Sequence, residues 1–241
     1  MTLYLLPNLL ADSDDLSLHL PRSVELAVGE IQALIAEDEK EARRFLRRFT
    51  FPEGKSFRDT PIHLLNEHTA EPALKELLDM ISQGGIFGLI SDCGMPCLAD
   101  PGAELVLQAK QRGMRVRAFS GPSSMVLALV LSGLGGQRFA FHGYLPREEN
   151  ELLIMIKKLE NRSRSESHAA QLFIETPYRN LRLLQRLIET LDERTWLCTA
   201  TDLTLPSESV LTRRVSEWKR GGFPPPDAPL DDRPTVFVIR A

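Results

Sequence analysis

The sequence predicts an α/β protein, and three observations carry the prediction. Short apolar runs alternate with amphipathic stretches along the whole chain, the pattern of strands interleaved with helices. Glycine, proline and Ser-Asp pairs punctuate the runs where the chain must turn. The length of 241 residues makes one large domain or two small ones, at about 100–200 residues per domain.

The elements follow in order. Leu3–Leu6 reads as the first strand, Ile31–Ile35 as the second and Ile62–Leu65 as the third. Ile86–Ile90 is the clearest strand, introduced by Gly84-Gly85 and ended by Ser91-Asp92, and Val116–Phe119 follows it. Helical periodicity marks Lys40–Phe49, Glu71–Ser82 and Ala103–Arg112. Strands joined by helices fit a parallel sheet with crossover connections. Gly121-Pro122 then breaks the chain, and a helix over Ser123–Leu131 ends in the glycine-rich SGLGG. Later strands are expected at Phe139–Phe141, Leu172–Ile174, Thr195–Cys198, Ser209–Leu211 and Val236–Ile239, and helices at Glu148–Leu159, Asn180–Leu191 and Val215–Lys219. The polar Asn161–Ser167 reads as a mobile loop, and Gly221–Asp232, with its four prolines, as a spacer. A boundary near residues 119–122 gives an N-terminal α/β domain with a parallel sheet over 1–119 and a C-terminal α/β domain over 120–241.

Composition narrows the function. Hydrophobic residues make up 43% and charged residues 26%, which excludes a disordered chain or a collagen-like repeat. A net charge of -4 leaves nucleic acid to be bound only through a local basic patch. Three cysteines, Cys93, Cys97 and Cys198, are too few for a disulfide framework and point to reduced thiols in a cytoplasm. The opening MTLYLLPNLL has no basic segment before its apolar run and reads as a strand rather than an export signal. The most continuous apolar run, Met125 to Leu131, has seven residues, where a membrane span needs about 20.

Several common site signatures are missing. There is no GxGxxG after a strand, no P-loop, no HExxH and no G-x-S-x-G elbow. Cys93 and Cys97 lack a second pair at zinc spacing, and His19, His63, His68, His142 and His168 are scattered, so no metal is expected. The densest segment is ISDCGMPCLADPG, Ile90 to Gly102. Asp92 stands where a buried parallel strand ends, the edge at which open α/β sheets bind ligands. A carboxylate there accepts hydrogen bonds from a ligand hydroxyl or amino group, and Gly94 and Pro96 turn the backbone tightly enough to approach it. Asp100-Pro101-Gly102 reads more plainly as a helix start, with Asp100 as N-cap and Pro101 at the first helical position. A second segment, FSGPSS over Phe119–Ser124, again follows a strand and precedes a helix, so that Ser123 and Ser124 present hydroxyls and first-turn N–H groups. The plainer alternative there is an ordinary helix cap.

Taken together, these segments resemble the tetrapyrrole-methylase-like (class III) S-adenosylmethionine-dependent methyltransferases, and within them the ribosomal RNA small subunit methyltransferase I family, which 2'-O-methylates a cytidine. That family reads roughly VSDAGTPLISDPG where this chain has ISDCGMPCLADPG, and PGPSA where it has Ser120 to Ser124. SGLGGQRFAFHGYLPR, Ser132 to Arg147, resembles the family's SGLP…RFLFEGFLPR; Ile174 to Arg179 resembles YESPHR; Ala36 to Lys40 resembles AEDTR; and Leu3–Leu18 aligns on the first-strand motif. The likeness spans essentially the whole chain. It implies two α/β domains with the cofactor, S-adenosyl-L-methionine, in a cleft between them, a homodimer, and neither zinc nor a redox cofactor. The cofactor contacts it implies are the loop around Leu10, the turn at Asp92, Gly94 and Met95, and Ser123 with Ser124; Glu175 and Thr204 are further transfers. Three departures stand out. The first-loop glycine is Ala11, the lysine and histidine of the family's ELTKLHEE are Leu205 and Ser207, and a usual further C-terminal domain is not seen after Val236–Ile239. Asp202 and Glu208 remain as ionisable groups beside that altered run, and no catalytic base is assigned.

An RNA substrate needs cations for its phosphates. Lys40, Arg43, Arg44, Arg47 and Arg48 fall at i, i+3, i+4, i+7 and i+8, one face of a helix, with Phe45 and Phe49 turned inward. A solvated face with a Glu39–Arg43 pair is the plainer alternative. Arg162 and Arg164, and Arg213, Arg214, Lys219 and Arg220, are candidate additions to the patch, whereas His68 reads as a loop histidine. The expected activity is methyl transfer to a ribose 2'-hydroxyl of small-subunit ribosomal RNA. The rivals are the same fold methylating a tetrapyrrole or other small molecule, and a non-catalytic cofactor- or RNA-binding module.

Overall fold

The computed structural model describes residues 1–13 and 15–241; Asp14, within the stretch that the resemblance aligns on Leu3–Leu18, lies outside the described residues. The chain divides into two units, Met1–Ser123 and Ser124–Ala241.

The first unit runs β1 (Thr2–Leu5), α1 (Arg22–Glu30), β2 (Ala33–Ala36), α2 (Glu39–Arg47), β3 (Ile62–Leu64), α3 (Glu71–Ser82), β4 (Ile86–Leu89), α4 (Ala103–Gln111) and β5 (Arg115–Ala118). Its sheet is wholly parallel, in the order β3-β2-β4-β1-β5. A parallel sheet is covered on both faces, which is why β2 is buried at all four positions rather than alternating. Leu34 with Tyr4 packs against Val24 and Val28 of α1 and Phe45 and Leu46 of α2 on one side. Ile35 with Leu3 packs against α3 and α4 on the other. In α3 the buried Leu74, Leu77, Leu78 and Ile81 repeat at i, i+3, i+4 and i+7, and the helix has the bounds its periodicity predicts. Asp38 caps α2 by accepting from the Glu41 N–H at 2.9 Å, and Phe45 and Phe49 turn inward to meet edge-on at 4.9 Å. Helix α1 has no counterpart in the sequence pattern, because its buried face is made of small residues, Val24, Ala27 and Val28, behind a proline with no side-chain cap.

The order of the sheet creates the place for a site. The chain leaves β1 toward β2 on one side, and leaves β4 across β1 toward β5 on the other. Loops that part in this way leave a crevice beyond the carboxyl ends of the strands.

The second unit runs α5 (Ser124–Ser132), β6 (Phe139–Tyr144), α6 (Glu149–Ser165), β7 (Ala170–Ile174), α7 (Asn180–Thr190), β8 (Trp196–Thr201), β9 (Ser209–Arg214), α8 (Val215–Arg220) and β10 (Thr235–Arg240). Its sheet is mixed, in the order β6-β7-β10-β8-β9, with only β6 and β7 parallel. Phe173 and Phe237 stack at 5.8 Å between α6, α7 and Trp218. One expectation is corrected here. Residues 161–165 are not a mobile loop but the last turns of α6. They are held by polar burial, which an apolar pattern does not register: Glu160 accepts from the Thr195 hydroxyl at 2.6 Å and the Asp192 N–H at 2.7 Å, and the Ser163 hydroxyl accepts from the Ala241 N–H at 2.9 Å. The proline-rich 221–232 contains no helix or strand, and it anchors Ala228 and Leu230 in the core. Among the described residues, no helix is long and apolar enough to cross a membrane.

Candidate functional site

Three loops converge at the carboxyl ends of the first sheet. The loop after β1 is tied to the loop after β4 by Asn8, which is buried. Its amide donates to the Ser91 carbonyl at 3.2 Å and the Asp92 carbonyl at 2.8 Å, while its side-chain oxygen accepts from the Leu9 N–H at 2.8 Å and from Arg48 at 3.1 Å. The backbones also exchange bonds, Asn8 N–H to the Gly94 carbonyl at 2.8 Å and Gly94 N–H to the Leu9 carbonyl at 3.2 Å. The third loop, after β5, closes on the first at Gly121, where a Cβ would stand 2.0 Å from the Pro7 Cβ.

The turn after β4 is a strained piece of backbone. Gly94 has φ +71°, and so, in the same left-handed region, do Cys97 at 66°, Ala99 at 71° and Gly102 at 119°. Non-glycine residues in that region are costly and collect at functional sites. At Gly94 the absent side chain also leaves room: a Cβ would lie 3.1 Å from Leu10 Cδ2 and 3.4 Å from the Pro122 carbonyl. Leu10, Gly94 and the residues leading to Ser123 therefore line one cradle. Ala11, the first-loop departure, does not adopt the left-handed conformation that would need glycine.

The expectation for Asp100 is corrected. It is not the N-cap of α4; Gly102 occupies that position without a side-chain bond, and the helix starts at Ala103. Asp100 instead belongs to a group of carboxylates with Asp92 and Glu37, the residue that follows β2. Burial and the neighbouring Asp100 and Asp92 push the Glu37 carboxyl up to about 7. Burial also raises Asp92, with Asp38 and Glu41 adding repulsion. Asp100 is raised by burial and by Asp92, against a lowering contact with Ser91. The Asp92 carboxylate is exposed and makes no hydrogen bond or ion pair among the described residues, and one buried oxygen of Glu37 has no partner. The buried hydroxyl of Ser123 is likewise unpartnered. Cys97 is a packing group, its thiol pushed up to about 11 by burial and by Asp100.

In the second unit the nominated residues have structural employment. Ser124 opens α5. Glu175, buried just after β7, pairs with Arg179 at 3.1 Å and accepts from the Thr176 N–H at 2.8 Å and hydroxyl at 3.2 Å. The loop after β8 carries Asp202 at φ 52° and Thr204 at φ 76°. Asp202 accepts from the Ser207 hydroxyl and from Arg233, both at 2.8 Å, and Glu208 accepts from the Thr204 N–H at 3.0 Å. Ser207, where the family has a histidine, is thus a strut for Asp202.

The arginines of α2 also divide. Arg43 donates to the carbonyls of Phe57 at 2.9 Å and Thr60 at 2.8 Å, and holds that loop. Arg48 pairs with Asp12 at 2.6 Å, and Arg44 pairs with Asp12 and with Glu41. Lys40 and Arg47 make no ion pair among the described residues, and with Arg43, Arg44 and Arg58 they border a hollow of about 930 Å³. His68 is exposed beside Glu67 at 3.5 Å. Sequence reasoning missed Asn8 and Glu37. Asn8 gives no periodic signal, but Glu37 follows a buried strand much as Asp92 does.

The fold, with its two five-stranded sheets, is shared with solved methyltransferases. Diphthine synthase superposes over 100% of this chain and 89% of its own, with a TM-score of 0.62 and 18% identity. The methyltransferase CobJ superposes over 100% and 93%, with a TM-score of 0.60 and 19% identity. The fold is therefore that of the tetrapyrrole methylases. No family model matches the chain. Direct sequence comparison is more specific: the ribosomal RNA small subunit methyltransferase I of Thermotoga maritima is 30% identical over 190 residues, 78% of either chain. The chain belongs to the ribosomal RNA small subunit methyltransferase I family, and is a class III S-adenosylmethionine-dependent methyltransferase.

Proposed function

We propose that this enzyme methylates a ribose 2'-hydroxyl of small-subunit ribosomal RNA, and that the cradle after β1, β4 and β5 grips the methyl donor. The observation that carries the cofactor reading is the free Asp92 carboxylate beside a turn kept open by Gly94. The RNA reading rests on the family, whose relative from Thermotoga maritima is named for ribosomal RNA.

The residues fit the donor. When bound, S-adenosyl-L-methionine supplies a methyl group on a positively charged sulfur, already a good electrophile. Asp92 accepts hydrogen bonds from its hydroxyl or amino groups, Gly94 and Met95 offer backbone at close range, and the Ser123 hydroxyl gains the partner it lacks. Leu10 covers the cradle. Three carboxylates with raised pKa values suit a cationic ligand, which relieves their mutual repulsion. Glu175 and Thr204 act by shaping their loops. The protein's main task is then positioning, holding the acceptor oxygen in line with the breaking bond. A proton must leave that hydroxyl, and a group with a pKa near neutrality is matched to such work. Lys40 and Arg47 meet phosphates, with Arg44 beside them paired to Asp12 and Glu41, while Arg43 and Arg48 hold the loops beneath.

The test is methyl transfer to small-subunit ribosomal RNA from a strain lacking this chain, read by mass spectrometry of the nucleosides. One new 2'-O-methylated nucleoside is expected. Intact binding of the donor without transfer supports the non-catalytic module. Transfer only to a tetrapyrrole overturns the RNA reading.

A further inference from the structure

A second basic feature lies in the second unit, remote in sequence from α2. The register of its sheet sets Arg240 opposite Trp196, and Trp196 opposite Arg214, on three adjacent strands. Residues directly opposite one another share a face of the sheet. Two arginines therefore share a face of the sheet with one tryptophan, and the Arg214 guanidinium lies over the Trp196 ring at 4.4 Å. Arg214 also donates to the Arg194 carbonyl at 2.5 Å, so its head is fixed on two sides. Arg164 from α6 and Arg194 from the loop before β8 join them around a hollow of about 460 Å³, whose border also holds Asp192, His168, Thr195 and Ala241.

The charges of this hollow are not balanced. Arg194 and Arg164 share Asp192, at 3.2 and 3.8 Å, and Arg164 also reaches the buried Glu160 at 3.3 Å. Arg214 and Arg240 have no carboxylate partner among the described residues, and β8 lies between the strands that carry them. Fixed guanidiniums around a recess are the chemistry that binds phosphate. Trp196 is covered by Arg214, so it serves as a platform for the cation rather than for a base.

We infer that the Arg164, Arg194, Arg214 and Arg240 hollow is a second phosphodiester-binding site, which takes the backbone of the RNA substrate independently of base sequence. The inference rests on the ribosomal RNA reading above. It extends that reading by giving the second unit its own grip on the substrate.

The test uses the full chain and deproteinised small-subunit ribosomal RNA from a strain lacking it. Binding is measured across a salt series for the wild type, for R214A/R240A, for R194E, and for a charge-matched control, K75A/K110A, on exposed helical positions of the first unit. Each lost phosphate contact lowers the slope of log K against log salt by about 0.7–0.9. The double variant is expected to lose about 1.5 from the slope and to raise KM for RNA with kcat and donor affinity unchanged. R194E, whose side chain is 85% exposed, is expected to weaken binding without lowering the melting temperature. An unchanged slope in folded R214A/R240A or R194E, or an equal loss in the lysine control, overturns the hollow while methylation stands. A wild-type chain that neither binds nor methylates this RNA overturns the ribosomal reading, and the hollow with it.

Discussion

The loop after β4 and the loop after β8 share a left-handed backbone and differ in what their aspartates are bonded to. Each carries an aspartate and two non-glycine residues in the left-handed region, Cys97 and Ala99 in one, Asp202 and Thr204 in the other. Asp202 is buried and bound by Ser207 and Arg233. Asp92 is exposed, its carboxyl raised by partial desolvation and by Asp38 and Glu41, and it is bound by nothing among the described residues. Left-handed backbone alone therefore does not distinguish the two loops; under the function proposed above, it is the unspent carboxylate that marks the first of them for the donor.

Four substitutions sharpen or break this contrast. Asn8→Ala should have the largest effect, because it removes the pin common to two loops and leaves buried carbonyls unpaired. A loss of about 2–3 kcal/mol in urea unfolding is expected, together with weakened donor binding. Asp202→Ala should cost about 1–3 kcal/mol by stranding Arg233 and Ser207, and it should show in the melting temperature before it shows in donor affinity. Asp92→Ala should reverse that order, with donor affinity down tenfold or more in calorimetric titration, about 1.4 kcal/mol, and the melting temperature unmoved. Should Asp92→Ala unfold the chain, or Asp202→Ala abolish donor binding in a folded one, the two loops have been read the wrong way round.

The smallest effect concerns Glu37, and its sign follows from proton linkage. The unfolded carboxyl titrates near 4.5 and the folded one at about 7, so between these values the folded state holds the extra proton. Stability therefore falls as pH rises through that window, and the penalty is complete above it. Glu37→Gln should melt with the wild type near pH 4 and above it at pH 8. A difference that shrinks with rising pH would remove Glu37 from the carboxylate group.

Much of the fold was legible in the sequence. The β1, β2 and β4 strands announce themselves as apolar runs because both faces of a parallel sheet are covered, and α3 shows its period in leucines. Where polar or small residues do the packing, the pattern fails. Helix α1 buries alanine and valine, and the end of α6 buries Glu160 and Ser163. Position after a buried strand singles out Asp92 and would equally have singled out Glu37, whereas the tie that Asn8 makes between two loops is visible only where distant segments meet. The basic stripe along α2 has the same limit: spacing sets five cations on one face, but Arg43 and Arg48 are engaged with neighbouring loops, which spacing does not encode.

The carboxamide of Asn8 has a wider consequence. It joins stretches 83 residues apart in the chain into a single mechanical part. A guest that orders either stretch orders the other at no further entropic cost, so contacts made at Leu10 and at Asp92 should reinforce one another beyond their sum. Insertions on either side of that amide, however well tolerated by the strands themselves, would uncouple the two.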